Sequence, residues 1–251
     1  MKARFTQRML AVVAGCTLLG GASQAAVLYD PGAGTLPSQQ GWTTQGFGSF
    51  TQSVSGGVYH FDSGPSNLTS AGSALGDPPG HAPLSALDTA AGFTLDFSLK
   101  VVSESHAASN TRAGFSVLFT GLDPQHSLEL GFWGDRVFAY DYLAPNTFTP
   151  GANAPLDTSV MRNYSLQVQG NLYTLSSGGT SLLQGALVDY TPRGLVYADS
   201  GLLFFGDDTT GARSSVELGM VSLSPIPEPA SAALLVAGLA ALGLRRRSAV
   251  R

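Results

Sequence analysis

Carboxylates are the reactive groups that recur through this chain, and their spacing is the first question. Between Ala26 and Ser224 stand three glutamates, Glu104, Glu129 and Glu217, and thirteen aspartates. A retaining glycosidase needs two carboxyls about 5 to 5.5 Å apart, which a single strand supplies at alternate positions. None of the three glutamates has an acidic residue two positions away. Glu129 lies in Leu128-Glu129-Leu130-Gly131-Phe132-Trp133, where Trp133 could stack on a sugar ring with Glu129 beside it. The plainer reading is an edge-facing charge next to a packing aromatic. Asp207 and Asp208, followed by Thr209 and Thr210, could offer hard oxygen ligands to Ca²⁺, which takes six to eight of them. The competing reading is a turn whose aspartates cap local backbone donors.

Other chemistries find less support. His60, His81, His106 and His126 lack the paired spacing of zinc ligands, and no G-x-S-x-G elbow occurs. Cys16 is the sole cysteine. It falls in a stretch with the marks of an export signal: Lys2, Arg4 and Arg8, an apolar run from Met9 to Leu19, then Ser23-Gln24-Ala25. Cleavage between Ala25 and Ala26 would leave a mature chain with no thiol, hence no disulfide and no cysteine nucleophile. Val13-Ala14-Gly15-Cys16 also permits a lipoprotein reading with an acylated Cys16, although the apolar character runs on through Leu18 and Leu19. Six cationic against sixteen anionic side chains from Ala26 to Ser224 leave a charge of −10, which the whole-chain value of −4 hides. So acidic a domain has no electrostatic footprint for nucleic acid.

The elements that must position these groups are short strands. Phe93, Leu95 and Phe97 alternate with Thr94, Asp96 and Ser98, and Phe115, Val117 and Phe119 repeat the period. Residues 128–140 give two strands around Gly134-Asp135, and Gly170-Asn171 reads as a two-residue hairpin turn. Gly201 to Gly206 and Val216 to Leu223 frame a polar loop from Asp207 to Arg213. The Gly-, Ser- and Pro-rich section from Pro31 to about Ala91 predicts two or three strands, with Gly72 to Pro83 as a rigid loop. This pattern predicts an all-β, antiparallel sandwich over residues 26–224, flanked by a signal helix in 1–25 and an apolar helix in 225–251. The succession FTLDFSLKV, RAGFSVLF, LELGFW, YSLQVQG and LLFFGDDTTGARSSVELGMVSL resembles a concanavalin A-like (laminin G-like) jelly roll. That resemblance implies a lectin-like module, and some members of the superfamily are glucanases.

The C-terminal segment is more specific. Pro227, Glu228 and Pro229 precede fifteen uncharged residues, Ala230 to Leu244, and then Arg245, Arg246 and Arg247. As a helix the apolar run rises about 22 Å, short of the ~30 Å hydrocarbon core of a bilayer. Arginines following such a run are held on the cytoplasmic side, which leaves the Pro-Glu-Pro triplet and the domain before it outside. The order of triplet, apolar run and arginines resembles the PEP-CTERM sorting signal, which implies exosortase as a partner at the inner membrane. An ordinary tail anchor is the alternative. Together these readings predict an exported, non-enzymatic surface or matrix protein that binds extracellular polysaccharide and needs no cofactor. A glycan-cleaving enzyme of the same fold and a calcium-dependent adhesion module stand as alternatives.

Overall fold

The computed structural model describes residues 25–76, 82–107, 111–143 and 147–226. The signal segment with Cys16, and the sorting residues Pro227, Glu228, Pro229 and Arg245 to Arg247, lie outside the described residues, as do both flanking helices. No helix of the described residues is long and apolar enough to cross a membrane.

Two antiparallel sheets pack face to face. One runs β13 (Thr180–Ala186), β12 (Leu172–Ser177), β11 (Arg162–Gln169), β6 (Phe93–His106), β15 (Ala212–Pro225), β4 (Val58–Asp62) and β3 (Thr51–Ser55). The short β1 (Ala26–Tyr29) also pairs with β15, so cleavage after Ala25 would leave the first strand whole. The second sheet runs β10 (Thr147–Pro155), β9 (Arg136–Leu143), β8 (Ser127–Trp133), β7 (Ser116–Thr120), β14 (Leu203–Asp207), β5 (Ser70–Leu75) and β2 (Thr43–Phe47).

Side-chain alternation decides what lies between them. Phe93, Leu95, Phe97, Leu99 and Val101 of β6 all point inward and are buried. They meet Val117 and Phe119 of β7, Leu128, Leu130 and Phe132 of β8, and Leu203 and Phe205 of β14. Phe97 touches Phe132 at 6.2 Å and Phe205 at 5.6 Å between ring centroids, both edge-on across the two sheets. Each such ring contributes roughly 1.5–3 kcal/mol by leaving water, so the sandwich needs no disulfide.

The expected strands at 93–101, around Gly134-Asp135 and on either side of Gly170-Asn171 are present, and Gly170 takes the positive φ of 60° that the turn requires. Three features differ from expectation. The section from Pro31 to Ala91 holds four strands, and β5 runs through Leu75 into the segment read as a rigid loop from Gly72. Its Ser-Ala-Gly-Ser-Ala-Leu sequence has no hydrophobic alternation because Gly72 sits under the Phe204 ring, where a Cβ would come within 2.4 Å of it. Strand β10 escaped notice because it carries Pro150 and Pro155, which an edge strand tolerates. Finally, the polar loop expected from Asp207 to Arg213 is shorter, since β14 runs to Asp207 and β15 starts at Ala212, and the Asp208–Gly211 connection passes from one sheet to the other.

Candidate functional site

The outer face of the second sheet carries a second, aromatic core. Because Leu128, Leu130 and Phe132 of β8 face inward, Glu129 must face outward, beside Ser116 and Leu118 of β7 and Phe138 and Tyr140 of β9. The segment from Tyr190 to Ser200 crosses this face as two short 3-10 turns. Tyr190, Tyr197 and Phe148 cover it with their rings. Glu129 is therefore fully buried and not an edge-facing charge.

A buried carboxylate needs a partner, and Arg112 supplies it. Its Nη2 lies 2.8 Å from Glu129 Oε1 and 2.6 Å from Asp208 Oδ2. The guanidinium carbon sits 4.4 Å from the ring centroids of both Tyr140 and Phe148, a cation–π arrangement that keeps water away. Ser116 Oγ donates to Glu129 Oε1 at 3.1 Å. The Tyr140 hydroxyl accepts from the Ala113 backbone N–H, and Tyr190 donates to the Tyr140 carbonyl, both at 2.6 Å.

One guanidinium thus serves two carboxylates. Tyr197 shows how the remaining charge is handled. Its hydroxyl lies 2.9 Å from Glu129 Oε2 and 2.7 Å from Asp208 Oδ2. It owns a single proton and can donate to only one of them at a time. A proton held on Glu129 completes the set. Accordingly burial pushes the Glu129 carboxyl up to about 8, with Arg112 opposing the shift and Asp208 adding to it. Burial also raises the Tyr140 and Tyr197 hydroxyls well above the usual phenol range.

The carboxylates that are separate candidates in the sequence are thus brought together in part. Glu129 and Asp208 share Arg112 and Tyr197. Asp207 ends β14 fully buried, its Oδ1 accepting the Thr209 backbone N–H at 3.0 Å, and burial pushes it up to about 8. That is the capping turn rather than a cation cradle. A Ca²⁺ ion against Asp208 would face the Arg112 guanidinium, so the donor set does not fit it. Among the described residues no group of three or more His, Cys, Asp and Glu is arranged to hold a metal. Trp133 is half-buried and its ring is already in contact: His106 stacks on it at 4.2 Å, the Arg136 guanidinium lies 5.3 Å from it, and Phe138 meets it edge-on.

Beside this cluster opens a cleft of about 390 Å³. Leu118, Phe204 and Gly72 line it from the sheet, while Leu195, Val196 and Arg193 come from the crossing segment. Phe47, 70% exposed at the end of β2, also lines it. Tyr197 and Asp208 join the lining, linking the cleft to the buried cluster. Leu195 is 73% exposed and has φ of 56°, the one positive-φ residue other than glycine among those described.

Sequence reasoning missed Arg112, Tyr197, Phe47 and the cleft. Arg112 meets partners 17, 85 and 96 positions away, a set that no local spacing announces.

Comparison with known proteins supports the fold. The chain is similar to a conserved carbohydrate esterase from Shiga toxin-encoding bacteriophage phi24B, with a TM-score of 0.53 at 15% identity over 80% of this chain and 99% of that one. It is also similar to a sialidase, at 0.51 and 10% identity, spanning 80% of this chain but only 18% of that chain. A protein of unknown function with a galectin-like fold from Bacillus subtilis matches at 0.48 and 12% identity over 81% of this chain and 98% of that chain. A search of curated proteins found no match. Residues 225–247 match the PEP-CTERM protein-sorting motif, so the chain carries the signal of an exported protein that exosortase sorts to the cell surface.

Proposed function

We propose that this is a cell-surface polysaccharide-binding protein: the sorting signal delivers the sandwich outside the inner membrane, and the cleft on its second sheet holds a glycan chain. The observation that carries this reading is the cleft itself. Its volume of about 390 Å³ suits a few sugar units, and it joins apolar walls to a small number of polar groups, the composition typical of small-ligand sites. Exposed Phe47 and Leu195 offer apolar surface to the C–H faces of pyranose rings, and Arg193 and Gln45 offer donors to hydroxyls. The reading is non-catalytic because the paired carboxylates Glu129 and Asp208 are tied to one guanidinium beneath Tyr197, with Glu129 wholly enclosed.

The test is retention of the purified full chain on exopolysaccharide from its native host. Wild type should be retained and Phe47→Ala should be retained several-fold less, with unchanged thermal stability because Phe47 is so exposed. No retention of the wild type would leave the domain a purely structural surface element. Release of reducing sugar, lost in Glu129→Gln, would instead make it a glycan-cleaving enzyme.

A further inference from the structure

We infer that the cleft takes acidic glycans, with the Arg193 guanidinium receiving the carboxylate of a uronic acid unit. This rests on the glycan-binding reading above and adds the class of sugar. Among the described residues, four titratable side chains line the cleft: Arg193, Tyr197, Asp207 and Asp208. Neither aspartate makes it negative. Asp208 is only 10% exposed and is paired with the Arg112 guanidinium at 2.6 Å, so its charge is already met. Asp207 is fully buried, and burial pushes its carboxyl up to about 8, so at neutral pH it holds a proton. Glu129, behind them, is raised to about 8 for the same reason. Arg193 is left as the uncompensated charge of the cleft.

Its backbone is fixed while its side chain is open. Arg193 ends the 3-10 turn Thr191–Arg193, and its N–H donates to the Tyr190 carbonyl at 2.9 Å. Tyr190 is fully buried and donates in turn to the Tyr140 carbonyl, which ties the turn to the sheet. The Arg193 side chain is exposed and forms no hydrogen bond or ion pair with any described residue. Asp189, the nearest acid along the chain, accepts the Thr191 N–H and hydroxyl at 2.9 and 2.6 Å and is not part of the lining. A guanidinium presents a planar fork of donors that matches the two oxygens of a carboxylate. Phe47, Leu195 and Gln45 meet ring faces and hydroxyls that neutral and acidic sugars share, so the difference between the two falls on Arg193. The charge of −10 on residues 26–224 opposes a polyanion at long range. Salt screens that repulsion beyond about 8 Å, whereas a carboxylate paired with Arg193 sits well inside this distance.

The experiment is a calorimetric comparison of the purified full chain with a short neutral oligoglucan and an oligouronate of equal length, at physiological salt and neutral pH. Because the pair forms at an exposed site, the oligouronate should bind about threefold to fivefold tighter. Arg193→Gln should bring the two affinities together while leaving the neutral chain unaffected, and Arg193→Lys, which keeps the charge but not the fork, should retain part of the preference. Both variants alter an exposed side chain, and an unchanged melting temperature confirms that each is folded; if one is not, the wild-type order decides. An oligouronate that binds no better than the neutral chain, or not at all, overturns the inference. So does a preference that survives intact in folded Arg193→Gln. If neither oligosaccharide nor the host polysaccharide binds, the glycan-binding reading itself fails; if the neutral chain or the host polysaccharide binds and the oligouronate is not preferred, that reading stands and the assignment to Arg193 falls.

Discussion

Arg112 Nη2 lies 2.8 Å from Glu129 Oε1, and the carboxylate it meets has no solvent exposure at all. The pair sits on the outer face of a sheet, where a sandwich usually meets water, and it is enclosed only because the Tyr190–Ser200 segment and the Phe148 ring close over it. Removing Arg112 strands the Asp208 charge that the same Nη2 meets at 2.6 Å, whereas a neutral isostere of the protonated Glu129 keeps most hydrogen bonds. Arg112→Met should therefore destabilise the fold by about 3–5 kcal/mol, and Glu129→Gln by far less. Urea unfolding of both variants checks this; equal losses would mean that packing of the stem, and not the charge, is what Arg112 provides.

The pH dependence follows from the two raised carboxyls. Glu129 and Asp207 both titrate near 8 in the folded chain, against an ordinary value of about 4 when unfolded. Between those values the folded state holds protons that the unfolded state has released. Stability is then fully present below about pH 4 as far as these groups are concerned, and declines as pH rises to about 8, by at most about 1.4 kcal/mol per unit for each group. Melting temperatures should be lower near pH 8 than near pH 5. The double variant Glu129→Gln, Asp207→Asn should flatten the slope, and a wild-type melting temperature that climbs over this range would contradict the assignment.

Leu195 holds φ at 56° with its side chain 73% exposed, so it bears the cost of a left-handed backbone with little burial in return. For a residue with a Cβ that cost is about 1–2 kcal/mol, while glycine gives back part of the gain through its freer unfolded chain. Leu195→Gly should stabilise by a net of about 0.5–1 kcal/mol, and Leu195→Val should destabilise. Differential scanning calorimetry reads both signs. If glycine also weakens glycan retention, the strain holds the cleft wall in place.

The sorting signal makes its own statement about the mature protein. Terminal peptides and intact mass of the chain from its native host should show an N-terminus at Ala26, the first residue of β1, and no peptide from residues 230–251. A lipid on Cys16 would overturn the signal-peptide reading, and recovery of Arg245 to Arg251 would make the tail a retained anchor.

The sequence by itself determined the sorting signal and most of the first core. Pro227-Glu228-Pro229, the apolar run and the arginines are contiguous, so their meaning needs no folding to assemble. Strands such as Phe93–His106 were legible because one face is apolar and the period of two is local. The same logic failed at β5, where a neighbouring Phe204 ring demands small residues, and at β10, where prolines mark an edge. Glu129 looked like a surface charge because in an antiparallel strand the outward position is usually wet. Only the tertiary structure brought Arg112, Tyr197 and Asp208 to it and lowered the aromatic cover over them. Charge pairing and enclosure depend on through-space distance. The residues that supply them lie up to 96 positions apart, beyond the reach of any periodicity.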